Sequence, residues 1–225
     1  MSDLNIPSPK VSLFVKPIED TGISFKQYYD FIQDSYEERI IQGIPFVCTT
    51  LTVDELKTDI KKNGCQIFVS SLNKEFTEIT SSISVAYRHN HEGKYAWFHL
   101  VASNKNNKRL GFGTQMLKTM IEKAKEEGCK YVLLSTAKSA NSAVQFYLKN
   151  GFFIQSSHFP LRGGYSSYIF HYQITHPSKW DYAIYRKYQY IISDCKQTAK
   201  RLLSFLLKLI NKICQIIINK KKILL

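Results

Sequence analysis

The sequence predicts an α/β (α+β) domain built on a mixed sheet, and three observations carry that prediction. Runs with period-two alternation are joined by a short polar turn, so the strands they form pair antiparallel. Other runs place apolar residues at i, i+3, i+4 and i+7 and read as helices with one face turned to a core. Between Tyr95 and Thr136 a strand, a helix and a wholly apolar strand follow one another, the order of a β-α-β unit. Beyond residue 176 the pattern becomes a basic amphipathic helical extension, so the chain divides into a domain of residues 1–176 and a tail of residues 177–225.

Residues 11–18 alternate like a strand and end at the turn Glu19-Asp-Thr-Gly22. From Ser24 to about Gln42, Phe25, Tyr28, Tyr29, Phe31, Ile32, Tyr36, Ile40 and Ile41 form a helical stripe that stops near Gly43, with Pro45 beyond. Thr52 and Glu55 have the spacing of a capping box, which predicts a short helix from Val53 to about Lys62, closed by Asn63-Gly64. Residues 66–71, 79–88 and 95–103 read as strands, the last two joined by a hairpin turn over His89–Lys94. Leu117, Met120, Ile121 and Ala124 mark a central helix that stops at Gly128. Residues 130–136 are a compact apolar run, as expected for a strand buried on both faces. Asn141 is placed to cap a further helix carrying Val144, Tyr147 and Leu148, which ends at Asn150-Gly151. Two last strands, 152–158 and 165–174, flank the turn at Arg162-Gly-Gly.

Charge has to be located before it is interpreted. The formal net charge is +13 over 225 residues, but residues 196–225 hold seven lysines, one arginine and no acid, so +8 of it sits in the tail. Residues 1–195 keep +5, which gives no electrostatic footprint for a nucleic acid. Five cysteines, Cys48, Cys65, Cys129, Cys195 and Cys214, are scattered without metal-ligand spacing. They predict free thiols in a cytoplasmic setting and no metal site. The first ten residues lack the apolar core of a secretory signal, which predicts the same compartment.

The stretch with most chemistry runs from Val101 to Thr114. Two glycines one residue apart, Gly111 and Gly113, follow two cations and open the central helix. Backbone N–H groups and the positive end of a helix dipole then converge on one place, which suits a phosphate. A Walker A loop would need Lys and Ser/Thr after the last glycine, and Thr114-Gln115 stand there. A dinucleotide fingerprint would need glycine at Met116 and an early β-α-β unit.

The order of strand, two helices, three antiparallel strands, Gly-x-Gly, helix, buried strand, helix with Tyr, then Gly-Phe resembles the GCN5-related N-acetyltransferase (GNAT) family. That family's phosphate loop reads Arg/Gln-x-x-Gly-x-Gly/Ala, and here the pattern is Lys108-Arg-Leu-Gly111-Phe-Gly113. Its later block stands here as Asn141, Tyr147 and Gly151-Phe152. The resemblance spans about residues 11–174 and implies a mostly antiparallel sheet with helices on both faces. Two departures stand out. Lys108 replaces the usual Arg or Gln, and the loop between Val101 and Lys108 is a residue or two longer than common, so Arg109 competes for the role of functional cation.

What the resemblance implies is acetyl transfer from acetyl-CoA to a primary amine of a small molecule or protein. The N–H groups of Arg109, Leu110, Gly111, Phe112, Gly113 and Thr114, with the cations Lys108 and Arg109, would cradle the pyrophosphate, where side chains at 111 and 113 would crowd it. Leu100, Val101 and Ala102 would offer main chain to the pantetheine arm, with Asn141 as helix cap, arm contact or both. Tyr147 would donate a proton to the leaving thiolate, or else be an aromatic packed under the sheet. A base is also needed, because an alkyl ammonium has a pKa of about 10.4 and little of it is neutral near pH 7. His99 is placed by strand parity on one face with Tyr95, Trp97 and Val101, and reads equally as base or as buried structural histidine. His89, His91 and Glu92 lie in the hairpin turn and read as solvated. The rival reading is a catalytically idle module of the same fold, serving as a membrane-tethered or partner-binding protein.

In the tail, Cys195, Ala199, Leu202, Leu203, Leu206, Leu209, Ile210, Ile213 and Ile217 trace one helical face, with Lys and Arg on the other. Lys208 and Lys212 fall inside the best apolar window, which argues against a span. A basic amphipathic helix preceded by Trp180, Tyr182, Tyr185, Tyr188 and Tyr190 predicts peripheral membrane contact, homodimer contact through 195–218, or packing on the domain. Nucleic acid is disfavoured, because the opposite helix face is too apolar to leave in water.

Overall fold

The computed structural model describes residues 12–44, 46–158 and 165–175. The tail with its amphipathic face, the Arg162-Gly-Gly turn, Cys195 and Cys214 therefore lie outside the described residues. Seven strands, β1 (Phe14–Pro17), β2 (Gln66–Ser71), β3 (Ser81–Asn90), β4 (Gly93–Ser103), β5 (Tyr131–Ala137), β6 (Phe153–His158) and β7 (Ser167–Gln173), form one sheet in the order β1-β2-β3-β4-β5-β7-β6. Only β4 and β5 pair parallel; every other pairing is antiparallel.

Five helices, α1 (Phe25–Ile41), α2 (Val47–Thr50), α3 (Val53–Lys62), α4 (Phe112–Glu126) and α5 (Asn141–Lys149), cover the sheet on its two faces. One core joins Met116, Leu117, Met120 and Ile121 of α4 and Val144 of α5 to Phe98, Val132, Leu134 and Phe170 of the sheet. The other joins Tyr28, Ile32 and Tyr36 of α1 and Leu56 and Ile60 of α3 to Ile67 and Val69. Each helix thus buries the stripe its sequence period supplies, which is where most of its stability comes from.

Local chemistry fixes the ends. Thr52 accepts from the Glu55 N–H while the Glu55 carboxylate accepts from the Thr52 N–H at 2.8 Å, the expected capping box. Ser24 and Gln27 build the same device on α1. Strand ends differ from the sequence reading. The hairpin turn narrows to His91-Glu92, because Asn90 Oδ1 accepts from the Glu92 N–H at 2.9 Å and Gly93 takes φ +122°, which lets both strands run further. β1 is four residues long, since Ile18–Asp20 tighten into a 3-10 turn after Pro17, a residue tolerated on this edge strand. The short α2 has no counterpart in the sequence prediction. Asn141 is not a cap: Ala140 takes that position without a side-chain hydrogen bond, and Asn141 is the first, exposed residue of α5.

Two irregularities in β4 position everything that follows. Ser82 pairs with Ala102 but Ser84 with His99, so β4 carries one extra residue there. Leu100 sits at φ +46° in this bulge. Then β4 pairs with β5 only over Tyr95–Phe98 against Tyr131–Leu134; past those residues the two parallel strands part. β5 meanwhile stays paired to β7 as far as Ala137 and Ser167. The sheet opens into a split whose β4 wall is the bulged segment. Among the described residues no helix is long and apolar enough to cross a membrane.

Candidate functional site

At residue 111 the chain turns from loop to helix through two left-handed backbone positions. Arg109 has φ +68° and Gly111, the residue that caps α4, has φ +85°. For glycine that conformation costs little; for an arginine it is uncommon, and it marks the loop as held in shape. Gly113 answers a different need, since a Cβ there would stand 2.9 Å from Ser103 Oγ and 3.6 Å from the Phe146 ring. Gly111 is thus favoured by its backbone conformation and Gly113 by the packing around it. The N–H groups of the first turn of α4 have no acceptor within the helix and face the cavity at its N-terminus.

That cavity has a volume of about 550 Å³ and runs between the α4 N-terminus, the start of α5 and the C-terminal part of α1. Val101, Ala102, Lys108, Arg109, Gly111, Phe112, Gly113, Thr114 and Tyr147 line it, as do Ser35, Ser82 and Arg39. Ser35 Oγ is buried in this wall without a hydrogen-bond partner among the described residues. A second cavity, of about 300 Å³, opens on the other side of the bulge and is lined by His99, Leu100, Ser135, Thr136, Tyr165 and Ser167. Tyr36, Arg39, Val101 and Tyr147 belong to both. The two spaces meet where the sheet splits.

Cations and acids are distributed unevenly around the loop. Lys108 is engaged by the Glu38 carboxylate, whose pKa is lowered by that hydrogen bond and by the lysine's charge, and Lys105 bonds Glu37 at 2.9 Å. Arg109 is exposed and makes no ion pair with any described residue, which leaves it as the freer cation of the two. Tyr147 is buried among Phe146, Phe152 and Phe170, and its hydroxyl has no hydrogen-bond partner among the described residues. Desolvation pushes its pKa up to about 12, opposed by the nearby Arg39 charge. Tyr36 donates to the Val101 carbonyl at 3.1 Å and so ties α1 to the bulge.

The bulge also overturns the parity argument for β4. Without it, Val101 would share a face with Tyr95, Trp97 and His99. The extra residue instead turns Val101 onto the core that holds Ala96 and Phe98, while Leu100 and Ala102 join the opposite core. His99 still reaches the smaller cavity, with Nε2 buried and unpartnered. Burial first, and the Arg88 charge second, hold its pKa down at about 4, so it is neutral at pH 7 and resists taking up a proton, which weighs toward the structural role. Two predicted residues stay outside both cavities: Leu110 is exposed, and Asn141 sits at the exposed start of α5, where Ser142 and Ala143 line the wall instead. Tyr36 and Arg39 were missed. Their only trace in the sequence is the α1 stripe, which reads Tyr36 as core and passes over Arg39. Among the described residues no group of three or more His, Cys, Asp or Glu is placed to hold a metal ion.

His99→Gln separates the base from the structural role. A base predicts a roughly 10–100-fold fall in kcat/KM, whereas a change under about threefold assigns His99 to structure. Stability gives a second readout with a definite sign. The imidazole binds its proton less readily in the folded chain than in the unfolded one, so the wild type loses stability as pH falls from about 6.5 toward about 4. Denaturant midpoints at pH 4.5 and 7 should show this acid deficit shrinking by on the order of 2 kcal/mol in the variant.

The sequence pattern described as the acetyltransferase (GNAT) family matches residues 27–152, more than half of the chain. Solved structures share the fold at low identity. The ribosomal-protein alanine N-acetyltransferase of Escherichia coli is 15% identical, with a TM-score of 0.53 over 75% of this chain and 97% of that one. The NatC complex bound to Gag peptide and CoA is 13% identical, with a TM-score of 0.55 over 73% and 99%. A GNAT-family acetyltransferase of Staphylococcus aureus is 16% identical, with a TM-score of 0.54 over 73% and 100%. No curated protein matches the sequence.

Proposed function

Because this chain belongs to the GNAT family of acetyltransferases, we propose that it moves the acetyl group of acetyl-CoA onto a primary amine, with Tyr147 as the donor to the departing sulfur. The observation that carries the proposal is the split between β4 and β5, with one cavity on each side and Tyr147 at their junction. Acyl transfer needs the amine to reach one face of the planar thioester, and this architecture offers the coenzyme and the amine separate approaches to one point.

The larger cavity supports the coenzyme. Its phosphates suit the free N–H groups of Phe112, Gly113 and Thr114, with Arg109 as the available cation and Lys108 available if it leaves Glu38. The pantetheine arm suits the edge of β4 from Leu100 to Ala102, which has no strand partner on the β5 side. The NatC complex, which shares the fold, was solved with CoA bound. The amine enters through the smaller cavity. Its nitrogen attacks the thioester carbon, the C–N bond forms and the C–S bond breaks. One amine proton leaves to His99 or to water, and the sulfur takes its proton from the Tyr147 hydroxyl, which is then reprotonated.

The test is calorimetry with acetyl-CoA followed by thiol release in a mass-spectrometric screen of amine acceptors. Saturable binding and acetylated product are expected; absence of acetyl-CoA binding would sink the reading. Residues 177–225 add a localising role on sequence grounds alone, with the domain ending near His176. The full chain should float with anionic liposomes and a chain ending at 176 should not; equal flotation removes membrane contact and leaves homodimer contact or self-packing.

A further inference from the structure

We propose that the acceptor is an amine with a carboxylate a few atoms from its nitrogen, and that Arg39 is the residue that reads this carboxylate; the proposal rests on the acetyl-transfer reading above. The C-terminal part of α1 carries three charged residues in a row, Glu37, Glu38 and Arg39. The two acids pair with Lys105 and Lys108 of the loop, Glu38 at the border of the larger cavity. Arg39 turns to the cavities and has no carboxylate partner among the described residues.

Its setting resembles that of a recognition arginine more than a solvated one. The guanidinium lies over the Tyr36 ring at 5.1 Å and the Phe46 ring at 5.3 Å, and the side chain is half-buried. Tyr36 is in turn fixed by its hydrogen bond to Val101. The two rings, which stand 67° apart, hold the cation between them, and no described carboxylate takes its N–H groups, so the planar fork is available to a carboxylate bidentately.

Position then sets the spacing. Arg39 lines both cavities and its charge acts on Tyr147, so an anion held there lies close to the reacting carbon. The attacking amine must occupy that same neighbourhood. A molecule that satisfies both has its amine and carboxylate close together, as in α- and β-amino acids. The other charged group on the smaller cavity, Asp59, is exposed at its rim, so a long or basic side chain of the acceptor finds a polar exit there.

The experiment compares α- and β-amino acids with their carboxamides as acceptors for the full chain, by thiol release and by calorimetry beside CoA. The wild type should favour the acids, and Arg39→Gln should lower the acid-to-amide ratio of kcat/KM at least about tenfold. The comparison of ratios cancels the different basicity of the two amines. Arg39→Lys should fall between, since an ammonium keeps the charge and loses the fork. Acetyl-CoA affinity should stay within about threefold in both variants, because Arg39 is assigned to the acceptor. Equal use of acids and amides by the wild type, no binding of any acid, or transfer confined to peptide amines would each overturn the proposal. So would loss of coenzyme affinity with an unchanged ratio. If Arg39→Gln does not fold, the wild-type ratio and Arg39→Lys decide. Failure of the wild type to bind acetyl-CoA is a separate result and removes the underlying reading instead.

Discussion

Tyr147→Phe is expected to lower kcat by about 10²–10³-fold while acetyl-CoA affinity changes by less than about threefold. The hydroxyl stands where the two cavities meet, and it has no hydrogen-bond partner among the described residues to lose. Its pKa of about 12 means that it is protonated throughout the working range of pH. A thiol titrates near about 8.5, so full transfer from such a phenol is uphill; what the tyrosine supplies first is a fixed donor aimed at charge developing on sulfur. The Arg39 charge favours the phenolate and eases the transfer that follows. No basic limb from Tyr147 should appear below pH 10, and kcat/KM should rise across neutrality with deprotonation of the amine. The ring keeps its packing against Phe146, Phe152 and Phe170 in the variant, so melting should be unchanged or slightly raised. Thiol-release kinetics beside a melting curve check this; a fall below about threefold would return Tyr147 to an aromatic packed under the sheet.

Gly111→Asp should weaken acetyl-CoA binding more than about 100-fold, and calorimetry reads it directly. Two effects combine. The position has φ +85°, where an L residue is strained by about 1–2 kcal/mol. The new carboxylate would also sit at the cap of α4, where it takes the first-turn N–H groups for itself and repels an incoming phosphate. Gly111→Ala isolates the strain, because a Cβ at 111 meets nothing within 4 Å. Its loss should be about tenfold. If both variants bind as the wild type does, the phosphates do not seat at this helix start.

Much of this site was legible in the sequence for local reasons. The glycines at 111 and 113, the cations before them and Tyr147 six residues beyond Asn141 are fixed by spacing along the chain, which folding cannot alter. The capping boxes at Ser24 and Thr52 close over four residues, and only the second was read. Asn141 shows the limit of such signals: the residue type suits a cap, yet the tight turn at Ala140 takes that position and leaves the side chain in solvent.

The rest depended on pairing across the sheet. Strand parity is reliable only while the ladder is regular, and one extra residue at Leu100 moved Val101 away from the face of His99. No local residue type announces that bulge, because it is the mismatch in length between β3 and β4. Arg39 is the other instance. Its sequence neighbours Glu37 and Glu38 give it the look of a surface charge, and only the packing of α1 against β4, through Tyr36 and Val101, brings it to both cavities.

By itself, then, the sequence determined the class of fold and marked the candidate loop and tyrosine, since periodicity and spacing are properties of neighbouring residues. The tertiary structure decided which wall each residue faces, which loop lysines are already paired, and that the Arg39 guanidinium borders both cavities. Those outcomes rest on contacts between segments more than sixty residues apart, such as Tyr36 with Val101 and Lys108 with Glu38.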